Sequence, residues 1–430
     1  MFLFLSTTIE EKEKLMIEAY FFRTPTLNRL RGGPLGSDLD DLATSLRQQG
    51  YAWDSIRGYL RGCDQFARWL LQQGYAVADV NQTLIKRYIS GLQRPPSGRL
   101  PKAAEGLSHL LKLWRQKQRL PERIDASPHT EADQWLLRYE QYLDQVCGTA
   151  ASTRHHYLRM ARCFLAACFG TGPLAWSSLQ ARQISDFVQQ EAANKHGGGR
   201  KLPSTAVRSL LRFLVFSGEL SPGLEAVALP PRQWTHDSIP KRLTAQEVER
   251  ILALSAGETP VDLRNRAILM LLSRLGLRAC EVVNLGLEDI NWHEARFVIR
   301  STKTHHERVL PLSQDVGTAL ANYLCWGRPP TTSRVVFLHC QAPFRPFSDS
   351  TAISRIAARA LGRAGVSGSA RLGAHVFRHT AASQRVNQGA SFKDVADVLG
   401  HRSLQTTGIY AKLDLATLSD VALPWRGDTP

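Results

Sequence analysis

The stretch from Leu399 to Tyr410 reads LGHRSLQTTGIY. The spacing of its glycine, polar and apolar residues predicts where one helix ends and the next begins. Gly400 can end one helix, because glycine readily adopts the left-handed conformation found just after many helix C-termini. Ser403 is a favourable N-cap for a following helix, which would carry Tyr410 on its inward side. The stretch therefore predicts two helices with His401 at their junction and a tyrosine facing inward.

Three more segments with specific polar residues precede this stretch. They are LGLRACE at 275–281, STKTHHERVLPL at 301–312 and HVFRH at 375–379. They contribute Arg278, then Lys303 in the turn of a predicted hairpin, then His375 and Arg378, whose spacing of three places both on one helix face. Each residue by itself has an ordinary structural explanation, since a single arginine is usually a surface cation. Their order along one chain is what makes the set specific.

Together these segments resemble the catalytic domain of the tyrosine recombinases, the phage-integrase-like family that includes lambda integrase, Cre and the Xer proteins. The resemblance is close over residues 241–413 and looser over a helical module at 132–227, which is similar to the family's core-binding domain. It implies that the catalytic residues are Arg278, Lys303, His375, Arg378, His401 and the nucleophile Tyr410. The family often has Gly-Lys-Gly in the hairpin turn, where this chain has Thr-Lys-Thr at 302–304. His305 or His306 could therefore share the place of Lys303.

The implied chemistry is reversible breakage of a DNA phosphodiester without ATP, in which a tyrosine ester conserves the bond energy. Tyrosine has a reference pKa near 10, and the phosphate repels anions, so two permanently charged arginines are needed to stabilise the transition state. Lys303 is suited to protonate the leaving 5′-oxygen. His375 can move a proton to or from Tyr410, and His401 can donate to the phosphate. The resemblance implies no cofactor and no metal ion.

Composition agrees with a nucleic-acid partner. The 430 residues contain 54 Lys plus Arg against 38 Asp plus Glu, a formal net charge of +16, which is typical of proteins that bind a polyanion. The apolar start at residues 1–5 stops at Ser6 and lacks the features of a signal peptide, and no apolar run approaches the ~18 residues of a membrane span. Seven cysteines without a CxxC pair favour a reducing cytosol over zinc fingers or disulfides. We therefore expect a cytoplasmic protein that binds double-stranded DNA and no membrane.

The predicted fold is mainly α with a small β component: helical N-terminal and core-binding domains followed by an α+β catalytic domain. The expected parts are a poorly patterned segment at 1–37, a helical region at 38–125, the core-binding domain at 132–228, a linker at 229–241 and the catalytic domain at 242–425. Strands are expected at Arg296–Arg300, Arg308–Leu312 and Arg334–Leu338. A capping box formed by Thr244 and Glu247 predicts a helix start after the linker.

Two features of the N-terminal half leave alternatives open. The pattern around Tyr59 returns about 98 residues later around Tyr157, which is compatible either with a duplicated helical module or with chance similarity of helices. The segment Lys86–Arg123 has ten basic residues and two acidic ones. It is either a solvated helix face with a linker or a phosphate-contacting surface, and the global charge favours the second.

The resemblance implies a site-specific recombinase or integrase that works through a 3′-phosphotyrosyl intermediate and a Holliday junction, as a tetramer on paired DNA sites. The extra N-terminal region favours a mobile element over chromosomal dimer resolution. One alternative is a nicking-closing enzyme like the type IB topoisomerases, and another is a DNA-binding relative that has lost activity. The helical N-terminus with the spacing from His401 to Tyr410 favours a recombinase, and the full set of six residues argues against lost activity.

Overall fold

The computed structural model of the chain describes residues 17–93, 101–120, 130–170, 172–195, 197–230, 242–300, 307–366, 368 and 372–400. By its internal contacts the chain divides into two compact units: residues 123–237 form one, and residues 1–122 with 238–430 form the other. The described residues are mainly helical with one small sheet, which confirms the predicted fold class.

The N-terminal helices enclose their own apolar core. They are α1 (Thr24–Gly32), α2 (Gly36–Gln48), α3 (Trp53–Gln72), α4 (Gln82–Ser90) and α5 (Lys102–Gln116), with short 3₁₀ helices at Ile17–Ala19 and Val77–Asp79. Phe66 and Trp114 are among the largest buried side chains in this core. The α3 and α5 helices pack closely, because Gly62 and Gly106 leave no side chain at the crossing.

Residues 17–37 are part of the segment that is poorly patterned in sequence, and the structure shows that they contribute to this core. Ile17, Tyr20 and Leu30 are buried in the same core as α2 and α3. A 3₁₀ turn and a nine-residue helix are too short to show a clear 3.6-residue period, so sequence periodicity misses them. The Gly-Gly-Pro sequence at 32–34 ends α1 and does not prevent it from forming.

The unit at 123–237 is a second helical bundle. It contains α6 (Glu131–Gln141) with a π-helical turn at Tyr142–Val146, α7 (Ala151–Phe169), α8 (Ala181–Ala193), α9 (Leu202–Phe216) and α10 (Leu224–Val227), with 3₁₀ helices at Trp176–Ser178 and Gly197–Lys201. The Ser204 hydroxyl and the Arg208 guanidinium both donate to the Ala228 carbonyl, at 2.6 and 2.7 Å. These bonds fix the end of α10 against α9.

The C-terminal part begins with helices and then combines them with strands. Its elements are α11 (Ala245–Ala253), α12 (Pro260–Met270), a π-helical turn at Leu271–Leu275, α13 (Ala279–Val283), a 3₁₀ helix at Leu287–Asp289, β1 (Ile290–Asn291), β2 (Arg296–Arg300), β3 (Glu307–Pro311), α14 (Gln314–Asn322), a π-helical turn at Tyr323–Gly327, α15 (Thr351–Arg363), α16 (Ala374–Asn387) and α17 (Phe392–Leu399). The predicted capping box is present, since Thr244 Oγ1 accepts from the Glu247 N–H at 3.1 Å and Glu247 accepts from the Thr244 N–H at 2.8 Å.

The sheet is antiparallel in the order β1-β2-β3, with Arg296 opposite Pro311 and Arg300 opposite Glu307. The strand predicted at Arg296–Arg300 is confirmed, and β3 begins one residue before the predicted Arg308. The strand predicted at Arg334–Leu338 is wrong. Val335 and Leu338 form only isolated bridges, the latter to Pro346, which has no N–H with which to extend a ladder.

The core of this part lies between the sheet and the helices, and α16 packs against both the 271–275 turn and α17. This packing brings the first turn of α16, the N-terminus of α13 and the C-terminus of α17 into one region. No helix within the described ranges is at once long and apolar enough to cross a lipid bilayer.

The α3–α5 crossing can be tested with Gly106→Ala. The added Cβ would lie 2.4 Å from the Tyr59 carbonyl oxygen, so the helices must separate, at a cost of about 1–3 kcal/mol for an overpacked contact. We expect faster amide hydrogen exchange in peptides from both helices. Gly32→Ala is the matched control, because nothing lies within 4 Å of its added methyl group. Equal exchange in the two variants would contradict the close crossing.

Candidate active site

Arg278 is the N-cap residue of α13, directly after a turn in which Gly276 has the left-handed φ of 68°. Its backbone N–H donates to Glu281 Oε2 at 2.8 Å, and its Nη1 donates to Glu281 Oε1 at 2.9 Å. Its Nη2 donates to the Gly400 carbonyl at 2.7 Å. With 31% of its side chain exposed, the guanidinium is held in position and is still reachable from solvent.

Glu281 is the anion on which this position depends. Its side chain is only 4% exposed and also accepts two hydrogen bonds from Arg308, at 2.9 and 2.8 Å. Burial raises the pKa of this carboxyl, but the bonds and charges of Arg308 and Arg278 outweigh burial, so its pKa lies below the ordinary value. The ionised Glu281 therefore joins two guanidinium groups, one from α13 and one from β3.

Arg378 lies in α16 and is almost fully buried. Its Nη1 donates to the Gly276 carbonyl at 2.8 Å, and its Nη2 donates to the Leu399 carbonyl at 2.6 Å. Leu399 and Gly400 are the last residue and the C-cap of α17, where carbonyls lack helical partners and the helix dipole is negative. The two arginines thus donate to consecutive carbonyls at one helix end.

Gly400 ends α17 as the sequence predicts, with a left-handed φ of 64°. There is also no room for a side chain, because an added Cβ would lie 2.8 Å from Arg308 Nη1. Gly400 therefore lies directly against the guanidinium of Arg308, which is paired with Glu281.

His375 occupies the first turn of α16, one turn before Arg378. Burial lowers the pKa of His375 below its ordinary 6.5, and the nearby charges of Arg378 and then Arg278 lower it further. At neutral pH its imidazole is therefore uncharged and able to accept a proton. Burial, His375 and Arg378 likewise lower the pKa of His379, which lies one turn further along α16.

Of the six residues predicted from sequence, Arg278, His375 and Arg378 come together in this region. Lys303, His401 and Tyr410 lie outside the described residues, although β2 and β3, which flank the segment of Lys303, pair as a hairpin requires. Sequence reasoning missed Arg308. Its one available signal was a basic residue in a short apolar strand, and nothing in the sequence connects it with Glu281.

The chain was also compared with known proteins. The sequence profile of the Phage integrase family matches residues 241–416. The integrase/recombinase y4rA of Sinorhizobium fredii is 36% identical over 404 residues, which are 94% of this chain and 97% of that protein. Tyrosine recombinase XerD of Mycobacterium tuberculosis is 30% identical over 68% of this chain and 97% of its own length. A crystal structure of a lambda integrase tetramer bound to a Holliday junction has a similar fold, with a TM-score of 0.51 at 19% identity over 74% of this chain and 88% of that chain.

The helical scaffold with its small sheet brings two arginines and a histidine into one region, and the relatives identify the chain as a tyrosine recombinase. The chain belongs to the phage integrase family, because its likeness to y4rA extends over nearly the full length of both proteins. It is therefore an enzyme of the site-specific recombinase class.

The contribution of Arg308 can be measured with Arg308→Met. Removing one partner of a buried ion pair costs about 3–5 kcal/mol, and we expect the low end of that range because Arg278 still contacts Glu281. Without Arg308, the effect of burial should outweigh the remaining effect of Arg278 and raise the pKa of Glu281. The carboxyl then takes up a proton as the pH falls from 7 towards 4. The loss of stability in urea unfolding should therefore be larger at pH 7 than at pH 4.

Two controls accompany that measurement. Arg334→Met removes the exposed partner of Glu288, 3.5 Å away, and should cost less than about 1 kcal/mol. Adding Glu281→Gln to Arg308→Met should recover part of the loss, since no buried charge then remains. A cost independent of pH, or equal to that of Arg334→Met, would contradict the proposed dependence on a buried anion.

Proposed function

We propose that this enzyme cuts and rejoins DNA by direct transesterification. Tyr410 attacks a backbone phosphorus and forms a 3′-phosphotyrosyl bond, and the 5′-oxygen leaves with a proton as a free hydroxyl. The hydroxyl of a partner duplex then attacks the phosphotyrosine, releases the tyrosine and seals the new strand. The observation that carries this proposal is the pair of guanidinium groups, Arg278 and Arg378, that donate to adjacent carbonyl oxygens.

The arginine pair suits a phosphate in the transition state. Two side chains that donate to neighbouring carbonyl oxygens support an arrangement in which both donate to the non-bridging oxygens of one phosphate. Their charges remain at every physiological pH, so they stabilise the extra negative charge of the pentacoordinate phosphorus. Glu281 and the α17 carbonyls hold them before substrate arrives, which lowers the cost of reorganisation.

The remaining roles are assigned by resemblance and general chemistry. His375, which is uncharged at neutral pH, can accept the proton that Tyr410 loses and return it later. Lys303 is the candidate donor to the 5′-oxygen, with His305 or His306 as alternatives, and His401 is the candidate donor to the phosphate. We assign no metal ion and no nucleotide cofactor to any of these steps.

We further propose that the working form is a tetramer on two duplex sites and that strand exchange passes through a Holliday junction. The solved lambda integrase assembly is a tetramer on such a junction. The charge of +16 suits the polyanionic partner. We propose the cytoplasm as the compartment in which the enzyme meets its DNA.

The nucleophile can be tested by trapping the covalent intermediate. Duplexes made from the DNA that flanks the reading frame, nicked so that the cleaved end diffuses away, should leave label attached to the wild-type protein after denaturation. Tyr410→Phe should bind the same duplexes and trap none, because its ring lacks the attacking oxygen. Tyr157→Phe is the matched control and should trap as wild type does. Equal trapping by Tyr410→Phe and wild type would refute the assignment.

The role of the arginine pair can be separated from DNA binding with Arg278→Ala. We expect affinity for duplex DNA to stay close to wild type, since many other cations share the binding, while the rate of adduct formation falls about 10²–10³-fold. Arg296→Ala removes another partly exposed arginine, on β2, and should leave the rate unchanged. A loss of affinity as large as the loss of rate would contradict a transition-state role.

A further inference from the structure

Residues 36–116 and 131–216 have the same order of main elements, and the second region has in addition a π-helical turn at Tyr142–Val146 and a 3₁₀ helix at Gly197–Lys201. Each region has a helix, a long helix, a three-residue 3₁₀ helix, a third helix and a fourth helix. The pairs are α2 with α6, α3 with α7, Val77–Asp79 with Trp176–Ser178, α4 with α8 and α5 with α9. In both regions the second helix packs against the fourth.

Ten buried positions of the first region have buried counterparts in the second. The α2–α6 pairs are 97 residues apart: Leu39 with Leu136, Leu42 with Tyr139 and Leu46 with Leu143. The α3–α7 pairs are 98 apart: Cys63 with Ala161, Phe66 with Phe164 and Ala67 with Leu165. The α5–α9 pairs are 100 apart: Leu107 with Val207, Leu110 with Leu210, Leu111 with Leu211 and Trp114 with Leu214. The offset is constant within each helix and grows only between helices.

One aromatic contact is reproduced in three dimensions. Phe66 meets Tyr88 edge to face, with ring centroids 5.0 Å apart and an interplanar angle of 62°. The corresponding Phe164 and Phe187 have centroids 5.2 Å apart at 72°. The same pair of helices therefore meets through the same pair of rings in both regions.

The connection before the second helix corresponds as well. Gly50 and Gly148, 98 residues apart, both have positive φ, at 80° and 57°. The N-cap residues that follow are Ala52 and Ala150, with nearly equal backbone angles. The matching cores, ring contact and turn favour two copies of one module over chance similarity of helical patterns.

A cationic groove lies on the outer side of the first copy. Arg57, Arg61 and Lys102 line it, with Asp54 as the acidic residue among them. The guanidinium of Arg57 lies over the Trp53 ring, 5.0 Å from its centroid, and that of Arg61 lies 5.8 Å from the Phe21 centroid. Stacking on rings fixes a guanidinium while leaving its N–H edge free to donate. Arg57 Nε is itself buried and has no hydrogen-bond partner among the described residues, so the terminal nitrogens are the atoms of Arg57 that we expect to reach a ligand.

The second copy carries basic residues at or next to the corresponding places. Arg159 is the counterpart of Arg61 and is likewise exposed, and His155 is the counterpart of Arg57. Lys201 precedes Leu202, the counterpart of Lys102. Both copies therefore present positive charge from the second helix and from the start of the fourth.

We propose that residues 36–116 are a second copy of the module at 131–216 and bind duplex DNA through the phosphates, using Arg57, Arg61 and Lys102. This inference rests on the proposed DNA-cutting function and adds a second DNA-contacting surface to it. Arg57 and Arg61 lie one helical turn apart, a spacing that lets both contact the same stretch of backbone. The contact is to phosphates, so it adds affinity and DNA length without adding sequence preference.

The experiment uses the full chain and a labelled duplex of mixed sequence that contains no recombination site. Affinity is measured over a series of KCl concentrations for wild type, Arg57→Gln with Arg61→Gln, and Arg61→Gln with Lys102→Gln. Each lost phosphate contact lowers the slope of log affinity against log salt by about 0.9, so both variants should lose about 2 from the slope. The control is Arg23→Gln with Arg47→Gln, which removes the same charge from exposed positions of the same helical region.

A slope reduced in both groove variants and unchanged in the control supports the proposal. A wild-type slope in the groove variants overturns it, and covalent trapping by wild type would then still uphold the proposed function. Failure of the wild-type chain to bind any duplex would instead overturn the proposed function itself. The Arg61 and Lys102 variant replaces only exposed side chains, so its result does not depend on the packing of Arg57.

Discussion

Two guanidinium groups of like charge have to be kept side by side, and the C-terminal part of this chain is arranged to make that possible. Arg278 and Arg378 repel one another, so each needs a negative partner that does not move. Arg278 has the buried carboxylate of Glu281, and Arg378 has the carbonyls of Gly276 and Leu399. The elements that supply these partners are α13, the turn before it and the end of α17. Their positions follow from the packing of α16 against the 271–275 turn and against α17.

Much of this arrangement could be predicted because it depends on local sequence. The capping box at Thr244, the end of α17 at Gly400 and the shared face of His375 and Arg378 each follow from residues within one or two helical turns. Arg308 could not be predicted in the same way. Its partner Glu281 lies 27 residues earlier on another type of element, and only the tertiary structure brings strand and helix together. The strand at Arg334–Leu338 was wrongly predicted because β-rich composition does not supply a neighbouring strand.

The duplicated helical module also could be recognised only in part from the sequence. A comparison at a fixed offset of 98 residues finds the second helix of each copy and then loses register, because the connections differ in length by single residues. The buried positions show which residues of the two copies correspond, because packing constrains the residues of helices strongly and those of loops weakly. The two copies still differ at their helix crossing. The first uses Gly62 and Gly106, which bring α3 and α5 close, where the second has Met160 and Ala206.

The hydrogen bond from Arg278 to the Gly400 carbonyl joins residues 122 positions apart. During synthesis the apolar cores of both helical modules can close from contiguous chain as it leaves the ribosome, long before Gly400 has been made. The guanidinium pair acquires its full set of partners only after Gly400 has been made. A polypeptide that ends before Gly400 would thus be able to fold its helical modules while lacking the partners that hold the arginine pair.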